Sequence, residues 1–194
     1  MALGRRPGKT RTREALVRAA RRRFAERGYD KTTVRAVAAD AGVDPGLVTH
    51  FFGTKDALFR AAMDWPFDPD DLVRTVVEPG RRGMGARLAR TFLELWQAPE
   101  SQARLLAVFR GATTHEESAT LVREFVHGQL YTRLAAALDG EDAELRVDLA
   151  FGQLLGLAML RHVLRVEPVA SASIEELVTR IAPTLDRYFR TPHP

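Results

Sequence analysis

Histidine is the side chain in this sequence best suited to catalysis or metal binding, since the chain contains no cysteine. No pair of histidines has the His-x-x-x-His or His-Glu-x-x-His spacing with which one helix face binds zinc. No Gly-x-Ser-x-Gly motif marks a nucleophilic serine. The glycine-rich run 80–85 follows no predicted strand and lacks the lysine of a phosphate-binding loop. We therefore expect no catalytic residue, no metal site, no cofactor and no enzymatic activity.

Charged residues are unevenly distributed along the sequence. Residues 1–35 contain 12 Lys or Arg against three acidic residues, a net charge of +9, whereas residues 65–194 contain 15 against 18, a net charge of −3. A basic segment on a mildly acidic body favours binding of a polyanion at one end. A solvated, arginine-rich helix face would explain the same charge, so the pattern alone leaves both interpretations open.

The stretch AGVDPGLVTHFFGTKDALF, residues 41–59, is interrupted by a glycine or proline every few residues. Asp44 is a favoured helix N-cap, Pro45 suits the first helical position, and Gly53 predicts the end of that helix. In the helix so defined, Val48 shares one face with the two phenylalanines that follow it, while Gly46 and His50 point away. Thr54 predicts the cap of another helix. The stretch therefore predicts one short helix with an apolar inner face and the start of a second helix.

A second short helix precedes this one. Thr33 predicts its N-cap and Gly42 its end, so the helix covers 34–41. Two short helices joined by a tight, glycine-containing turn are typical of a helix-turn-helix, whose second helix enters the DNA major groove. Three helices packed through short loops, without any nucleic acid, would show the same pattern.

The rest of the sequence also has helical spacing, and no window alternates with a period of two, which predicts an all-α fold without a sheet. The first helix is predicted from Thr10 or Thr12 to about Arg27, with a stop at Gly28. Two prolines in Trp65–Pro69 mark the clearest break. Amphipathic segments then follow at about 69–78, 83–97, 99–113, 116–138, 141–166 and 173–190.

Residues 12–62 resemble, without a gap, the DNA-binding domain of TetR-family transcriptional regulators. The resemblance rests on a set of motifs at the family's spacing: Phe24, Gly28-Tyr29, Thr33, the run Val37–Val43, Phe52, Lys55 and Leu58. The sequence departs from the family at Thr49, where an aromatic phosphate contact is usual. His50 is a candidate to replace that contact.

The resemblance implies which residues face DNA: Thr33, Arg35, Asp44, Gly46, Leu47, Thr49, His50 and Lys55. Those suited to phosphates or the minor groove are Thr33, Thr49, Lys55 and the arm residues Arg5, Arg6, Lys9 and Arg11. Leu47 cannot form a hydrogen bond through its side chain and suits a thymine methyl, and Arg35 is the best candidate for a guanine.

The C-terminal part contains an unusually apolar helix. Between residues 149 and 160 only Gln153 is polar, so that helix must be covered on all sides. The cover is either the chain's own core or a second copy of the protein, and we expect a homodimer through about 141–166 and 173–190. The C-terminal tract resembles the ligand-binding and dimerisation domain of one TetR subgroup. Five large apolar or aromatic residues are candidates for binding the effector, and the alternative is that they belong only to the hydrophobic core: Phe92, Trp96, Phe109, Phe125 and Met159.

Together these features predict a helix-turn-helix domain with a basic arm at 1–54 and a helical domain for ligand binding and dimerisation at 55–194. The expected function is a sequence-specific transcriptional regulator, a repressor released from a palindromic operator on double-stranded DNA by a small, mostly apolar effector. A non-specific DNA-packaging protein is disfavoured by the net charge of −3 beyond residue 64, and a helical enzyme by the missing catalytic cluster. Without an apolar run of 18 residues or a signal peptide, we expect no membrane partner and a cytoplasmic location.

Overall fold

The computed structural model describes residues 7–190, with side chains from residue 10 onward. Within this range the chain contains no strand, which confirms the predicted all-α fold. The helices are α1 (Pro7–Lys31), α2 (Val34–Ala41), α3 (Pro45–Phe52), α4 (Lys55–Met63), α5 (Pro69–Val77), α6 (Met84–Gln97), α7 (Pro99–Thr114), α8 (Glu116–Phe125), α9 (Thr132–Ala135), α10 (Ala143–Ala158) and α11 (Ile174–Phe189). Two π-helical segments, Val126–Tyr131 and Met159–Val163, follow α8 and α10.

The chain forms two compact units. One, here called the head, contains the described residues up to 66 together with 106–125; the other, the body, contains 67–105 and 126–190. The head therefore includes α4 and α8 in addition to the three predicted helix-turn-helix elements. The sequence analysis placed a boundary between residues 54 and 55 to separate a DNA-binding part from a ligand-binding part. That functional boundary stays a prediction.

The short helices of the head begin at the predicted residues because side chains there accept bonds from free backbone N–H groups. Thr33 accepts from the N–H of Ala36 at 3.2 Å, and Asp44 accepts from that of Gly46 at 2.7 Å. Thr54 caps α4 in the same way, accepting from Ala57 at 3.1 Å. These bonds satisfy donors that a helix start otherwise leaves unpaired.

The core of the head is aromatic where α1 ends. Gly28 interrupts the helix with φ 75° and ψ 173°, close to the predicted stop. Phe24 lies before this break and Tyr29 after it, and their rings stack at 5.9 Å. Phe59 of α4 packs edge-on against both, at 4.7 and 5.2 Å, so these rings join α1 to α4.

The body is centred on the packing of α6 against α11. Its buried side chains include Met84, Leu88, Trp96 and Leu185. Gly85 allows the close approach, because a Cβ there would lie 2.7 Å from the backbone nitrogen of Asp186. The Gly85 N–H donates to the Asp186 carboxylate at 2.7 Å, which fixes the register of the two helices.

Two of the predicted helices are less regular than the sequence indicated. The segment predicted as one helix over 116–138 is α8, a π-helical turn and α9, and the segment predicted over 141–166 ends in the second π-helical turn. In the first turn the Thr132 hydroxyl donates to the carbonyl of His127, five residues earlier, at 2.9 Å. That bond accommodates the wider turn, which apolar periodicity does not reveal.

Candidate nucleic-acid interface

The candidate DNA-facing residues of α2 and α3 lie on an exposed surface of the head. In α3 the side chain of Val48 is buried, and Phe51 and Phe52 are half-buried. The neighbouring positions point outward, and Leu47 keeps 36% of its surface exposed although it is apolar. Seven of the candidates are exposed: Thr33, Arg35, Asp44, Gly46, Leu47, Thr49 and His50.

Gly46 has a structural role beside the capping residue. A Cβ at position 46 would lie 2.9 Å from the Asp44 carboxylate oxygen that caps α3. Any larger residue would therefore press on the cap that starts the helix. The glycine also leaves the N-terminal surface of α3 open to another molecule.

The N-termini of α2 and α4 are suited to phosphates. Each begins at an exposed threonine, Thr33 or Thr54, whose hydroxyl binds only one of the free backbone N–H groups. The remaining N–H groups and the positive end of the helix dipole attract anions. Within the head, these two helix starts are candidate points of attachment to a nucleic-acid backbone.

Lys55, predicted to bind a phosphate, rests on the turn after α1. Its Nζ lies 4.2 Å from the centre of the Tyr29 ring and 3.4 Å from the carbonyl oxygen of Asp30, to which it donates. Burial lowers the pKa of Lys55, and the charges of Asp30 and Glu124 offset part of that effect. A phosphate at the start of α4 would compete with these partners for the Lys55 ammonium.

Part of the basic charge of α1 holds the head together. Arg23 binds both carboxylate oxygens of Asp40 on α2, at 2.5 and 2.8 Å, and Arg21 donates to the carbonyl of Ala62 at 2.7 Å. The Arg13 guanidinium lies 5.3 Å above the Phe52 ring. Arg35, by contrast, is exposed and forms no ion pair with any described residue.

The remaining arm residues can be located only in part. Arg11 is exposed near the start of α1, whereas Arg5, Arg6 and the side chain of Lys9 lie outside the described part of the chain.

The candidate effector-binding residues are divided between the two units. Phe125 belongs to the head, where it stacks on Phe59 at 5.2 Å and meets Trp65 at 4.8 Å; Phe109 is half-buried and also lies in the head. Phe92 and Trp96 are buried in the body with rings 6.1 Å apart, and Met159 is half-buried there.

The body contains aromatic neighbours that sequence reasoning did not select. Phe151 lies 6.4 Å from Phe92 and stacks with Tyr131 at 4.7 Å, and His162 stacks with Trp96 at 5.9 Å. The Nδ1 of His162 lies 2.6 Å from Nε2 of Gln102, and burial lowers the pKa of His162, which favours the neutral ring. The π-helical spacing that places His162 gave no signal in the sequence.

One face of α10 and the turn after it exposes apolar side chains. Leu145 and Leu149 are 58% and 45% exposed. Gly152 and Gly156 follow on the exposed surface, and a Cβ at either position would meet no atom within 4 Å. Larger apolar residues continue the exposed surface at Leu160, Val163 and Leu164.

The described residues include no group of three or more metal-ligating side chains close enough to hold an ion. None of the helices in the same range has the length and apolar character needed to cross a membrane.

Two family models match the chain. Residues 16–62 match the model described as bacterial regulatory proteins, tetR family, and residues 83–189 match the tetracyclin repressor-like C-terminal domain. The first match covers α2, α3 and α4 together with most of α1. The second match begins just before α6 and extends to the last residue of α11.

Proteins similar to this chain are also described as transcriptional regulators. The chain is 30% identical over 173 residues to the HTH-type transcriptional regulator BetI of Brucella anthropi, which covers 86% of this chain and 89% of that protein. It is 37% identical to a TetR-family regulator of Streptomyces coelicolor, with 96% and 99% of the two chains covered and a TM-score of 0.49. A Mesorhizobium loti protein at 18% identity shares the fold, with a TM-score of 0.53 over 95% and 97% of the chains.

Proposed function

This chain belongs to the TetR family and is a DNA-binding transcriptional regulator, and on that premise we propose that it is a repressor that binds a palindromic operator as a homodimer. A small, mostly apolar effector would bind the body and release the DNA. A regulator of this kind acts in the bacterial cytoplasm, where its operator lies.

The observation that carries the proposal is the exposed surface of α2 and α3, opposite the buried Val48. Arg35 is available for a guanine, because guanidinium groups bind the O6 and N7 acceptors of that base. Leu47 suits a thymine methyl. Thr33, Thr49 and Lys55 suit phosphates, which position the protein without reading sequence.

The exposed apolar face of α10 supports the proposal of a homodimer. Leu145, Leu149 and Val163 are each at least 45% exposed, which is unfavourable in a lone chain. Gly152 and Gly156 would let a partner helix approach closely. Because a two-fold dimer presents two reading helices related by symmetry, its operator would be a palindrome.

The effector site is best supported around the body rings Phe92, Trp96 and Phe151, with Met159 as a further predicted wall. Aromatic walls favour a flat or apolar ligand, and the neutral His162 beside Gln102 adds a polar contact for orientation. Phe109 and Phe125, which belong to the head, stay predicted contacts.

The first experiment selects bound duplexes from a random pool and aligns them. A palindrome with two equal half-sites is expected, and a pool that stays random after selection would contradict sequence-specific binding.

The second experiment addresses the effector. The chain has two tryptophans, so Trp65→Phe leaves Trp96 as the only tryptophan reporter, placed in the body. Compounds that quench Trp96 and raise the melting temperature are then tested for their effect on operator affinity. If stabilising compounds of several chemical classes leave operator affinity unchanged, the effector proposal is wrong.

A further inference from the structure

The carboxylate of Glu124 contacts the point at which α1 breaks. It accepts a hydrogen bond from the backbone N–H of Tyr29 at 2.6 Å. It also lies against Gly28, where a Cβ would be 2.9 and 3.1 Å from the two carboxylate oxygens. Glu124 thus binds a backbone turn 95 residues away in the sequence.

Gly28 makes this contact possible in two ways. Its backbone, at φ 75° and ψ 173°, lies in a region that is essentially restricted to glycine, and there it frees the next N–H from the helix. Its missing side chain leaves room for the carboxylate. A charge-assisted bond to a free backbone N–H is stronger than a neutral one, so Glu124 holds the turn firmly.

Tyr29 connects this turn to the candidate DNA-binding residues. Its hydroxyl donates to Asp56 on α4, and its ring lies beneath the ammonium of Lys55. Lys55 also donates to the carbonyl of Asp30, in the same turn. The turn that Glu124 fixes is therefore the surface on which Lys55 rests.

The charge of Glu124 acts on Lys55 as well. A negative charge near the ammonium favours its charged form, and Asp30 and Glu124 both supply such a charge, which raises the pKa of Lys55 against the larger lowering by burial. A DNA phosphate would compete with both groups for the same ammonium.

Glu124 also occupies a particular place in the chain. It is the last residue but one of α8, and the chain passes from head to body immediately after Phe125. Glu124 is therefore the last residue but one of the head before the chain enters the body.

We infer that Glu124 is a positioning residue for DNA binding, which holds Lys55 on the Tyr29–Asp30 turn and so competes with the operator phosphate. The inference rests on the phosphate contact of Lys55 proposed above.

The test is operator affinity of Glu124→Gln and Lys55→Ala, alone and combined, measured with the full chain. The glutamine oxygen can still accept from Tyr29, so the variant removes charge and keeps the turn. We expect Glu124→Gln to tighten operator binding about twofold to fivefold, the upper part of the range of an exposed ion pair. In the Lys55→Ala background the same change should have almost no effect.

The matched control is Glu117→Gln, on the same helix. Glu117 is exposed and lines the same groove between α1 and α8, so its loss removes one negative charge without touching the turn. The inference is wrong if Glu117→Gln tightens operator binding as much as Glu124→Gln does. It is also wrong if Glu124→Gln has the same effect in the Lys55→Ala background as in the wild type. Either result would mean that the effect comes from the overall charge of the protein. Unchanged or weaker binding by Glu124→Gln, with an unchanged melting temperature, would also overturn it.

A failure of the proposed function gives a different result. If Lys55→Ala alone changes neither operator affinity nor its salt dependence, Lys55 binds no phosphate and the premise fails. If Lys55→Ala weakens binding while Glu124→Gln acts independently of it, only the role of Glu124 is refuted. Should Glu124→Gln lower the melting temperature, Glu124→Asp, which keeps the charge but shortens the reach to Tyr29, separates the loss of the turn from the loss of charge.

Discussion

Arg23 on α1 and Asp40 on α2 form a two-point ion pair, with Nε–Oδ2 at 2.5 Å and Nη2–Oδ1 at 2.8 Å. About one third of each side chain is exposed. The pair sets α2 on α1, and α2 carries Arg35 and leads through the turn at Gly42 into α3. This ion pair between two helices therefore helps to position the candidate DNA-facing surface.

Asp40→Asn tests this pair through pH. The hydrogen bond from Arg23 lowers the pKa of Asp40, so the pair stabilises the folded state above the unfolded pKa of about 3.9 and loses that contribution as pH falls through the folded value. We expect the melting temperature of the variant to be slightly below that of the wild type at pH 7, and the difference between the two to disappear in acid. Glu14→Gln, which removes the more exposed partner of Arg18 within α1, should show little or no difference in melting temperature from the wild type. A difference for Asp40→Asn that does not depend on pH would contradict the assignment.

Arg35→Ala tests base recognition. A lost guanine contact weakens binding to the preferred operator by about 1–3 kcal/mol and relaxes the preference at one position of each half-site. The measurement is affinity for the selected operator and for operators changed at each position. Lys55→Ala serves as the comparison, because loss of a phosphate contact should weaken every sequence alike and reduce the salt slope by about one. Equal loss on all operators for Arg35→Ala would show that it contacts only the backbone.

Gly156→Arg tests the dimer. A long charged side chain on the open surface of α10 would stand where a partner helix approaches, so we expect a monomer or an aggregate without operator binding, and a folded head. Gly128→Arg is the control, since that glycine is also exposed and meets no neighbour within 4 Å, but lies in the first π-helical segment. Sedimentation at micromolar concentration measures the mass, and a one-chain mass for the wild type would refute the dimer.

Gly28→Ala and Gly42→Ala separate backbone strain from the contact with Glu124. Gly42 is left-handed at φ 67° with open space around it, so alanine there should lower the free energy of unfolding by about 1–2 kcal/mol. At Gly28 the backbone lies in a region less accessible to alanine, and the alanine Cβ would collide with the Glu124 carboxylate. We therefore expect Gly28→Ala to lower the free energy of unfolding by about 2–3 kcal/mol. Urea denaturation measures both. In a Glu124→Ala background the excess at Gly28 should shrink, and an unchanged excess would mean that the carboxylate moves aside freely.

The sequence predicted well what depends on near neighbours. Thr33, Asp44 and Thr54 cap helices because each accepts a bond from an N–H two or three residues ahead, a relation that the residue types already indicate. The burial of Leu16, Ala20 and Phe24 follows from helical periodicity in the same way.

Interactions between distant residues could not be predicted. The position of Lys55 depends on Tyr29 and Glu124, and nothing in the local pattern joins residues 95 positions apart. Arg21 and Arg23 are among the 12 basic residues of 1–35, and the charge count did not reveal that they hold α1 to its neighbours. The π-helical turn that places His162 against Trp96 leaves the apolar periodicity nearly unchanged, so the ring pair was missed.

The closeness of Gly46 to the Asp44 carboxylate also constrains how the protein can evolve a new operator preference. Mutations at Leu47 or His50 change an exposed side chain and leave the start of α3 intact, so recognition there can change in small steps. At position 46 the Cβ of any larger residue would lie 2.9 Å from the Asp44 carboxylate oxygen, so a residue that gained a base contact would also shift the cap. Regulators diverging from this one should therefore exchange residues 47 and 50 more readily than residue 46.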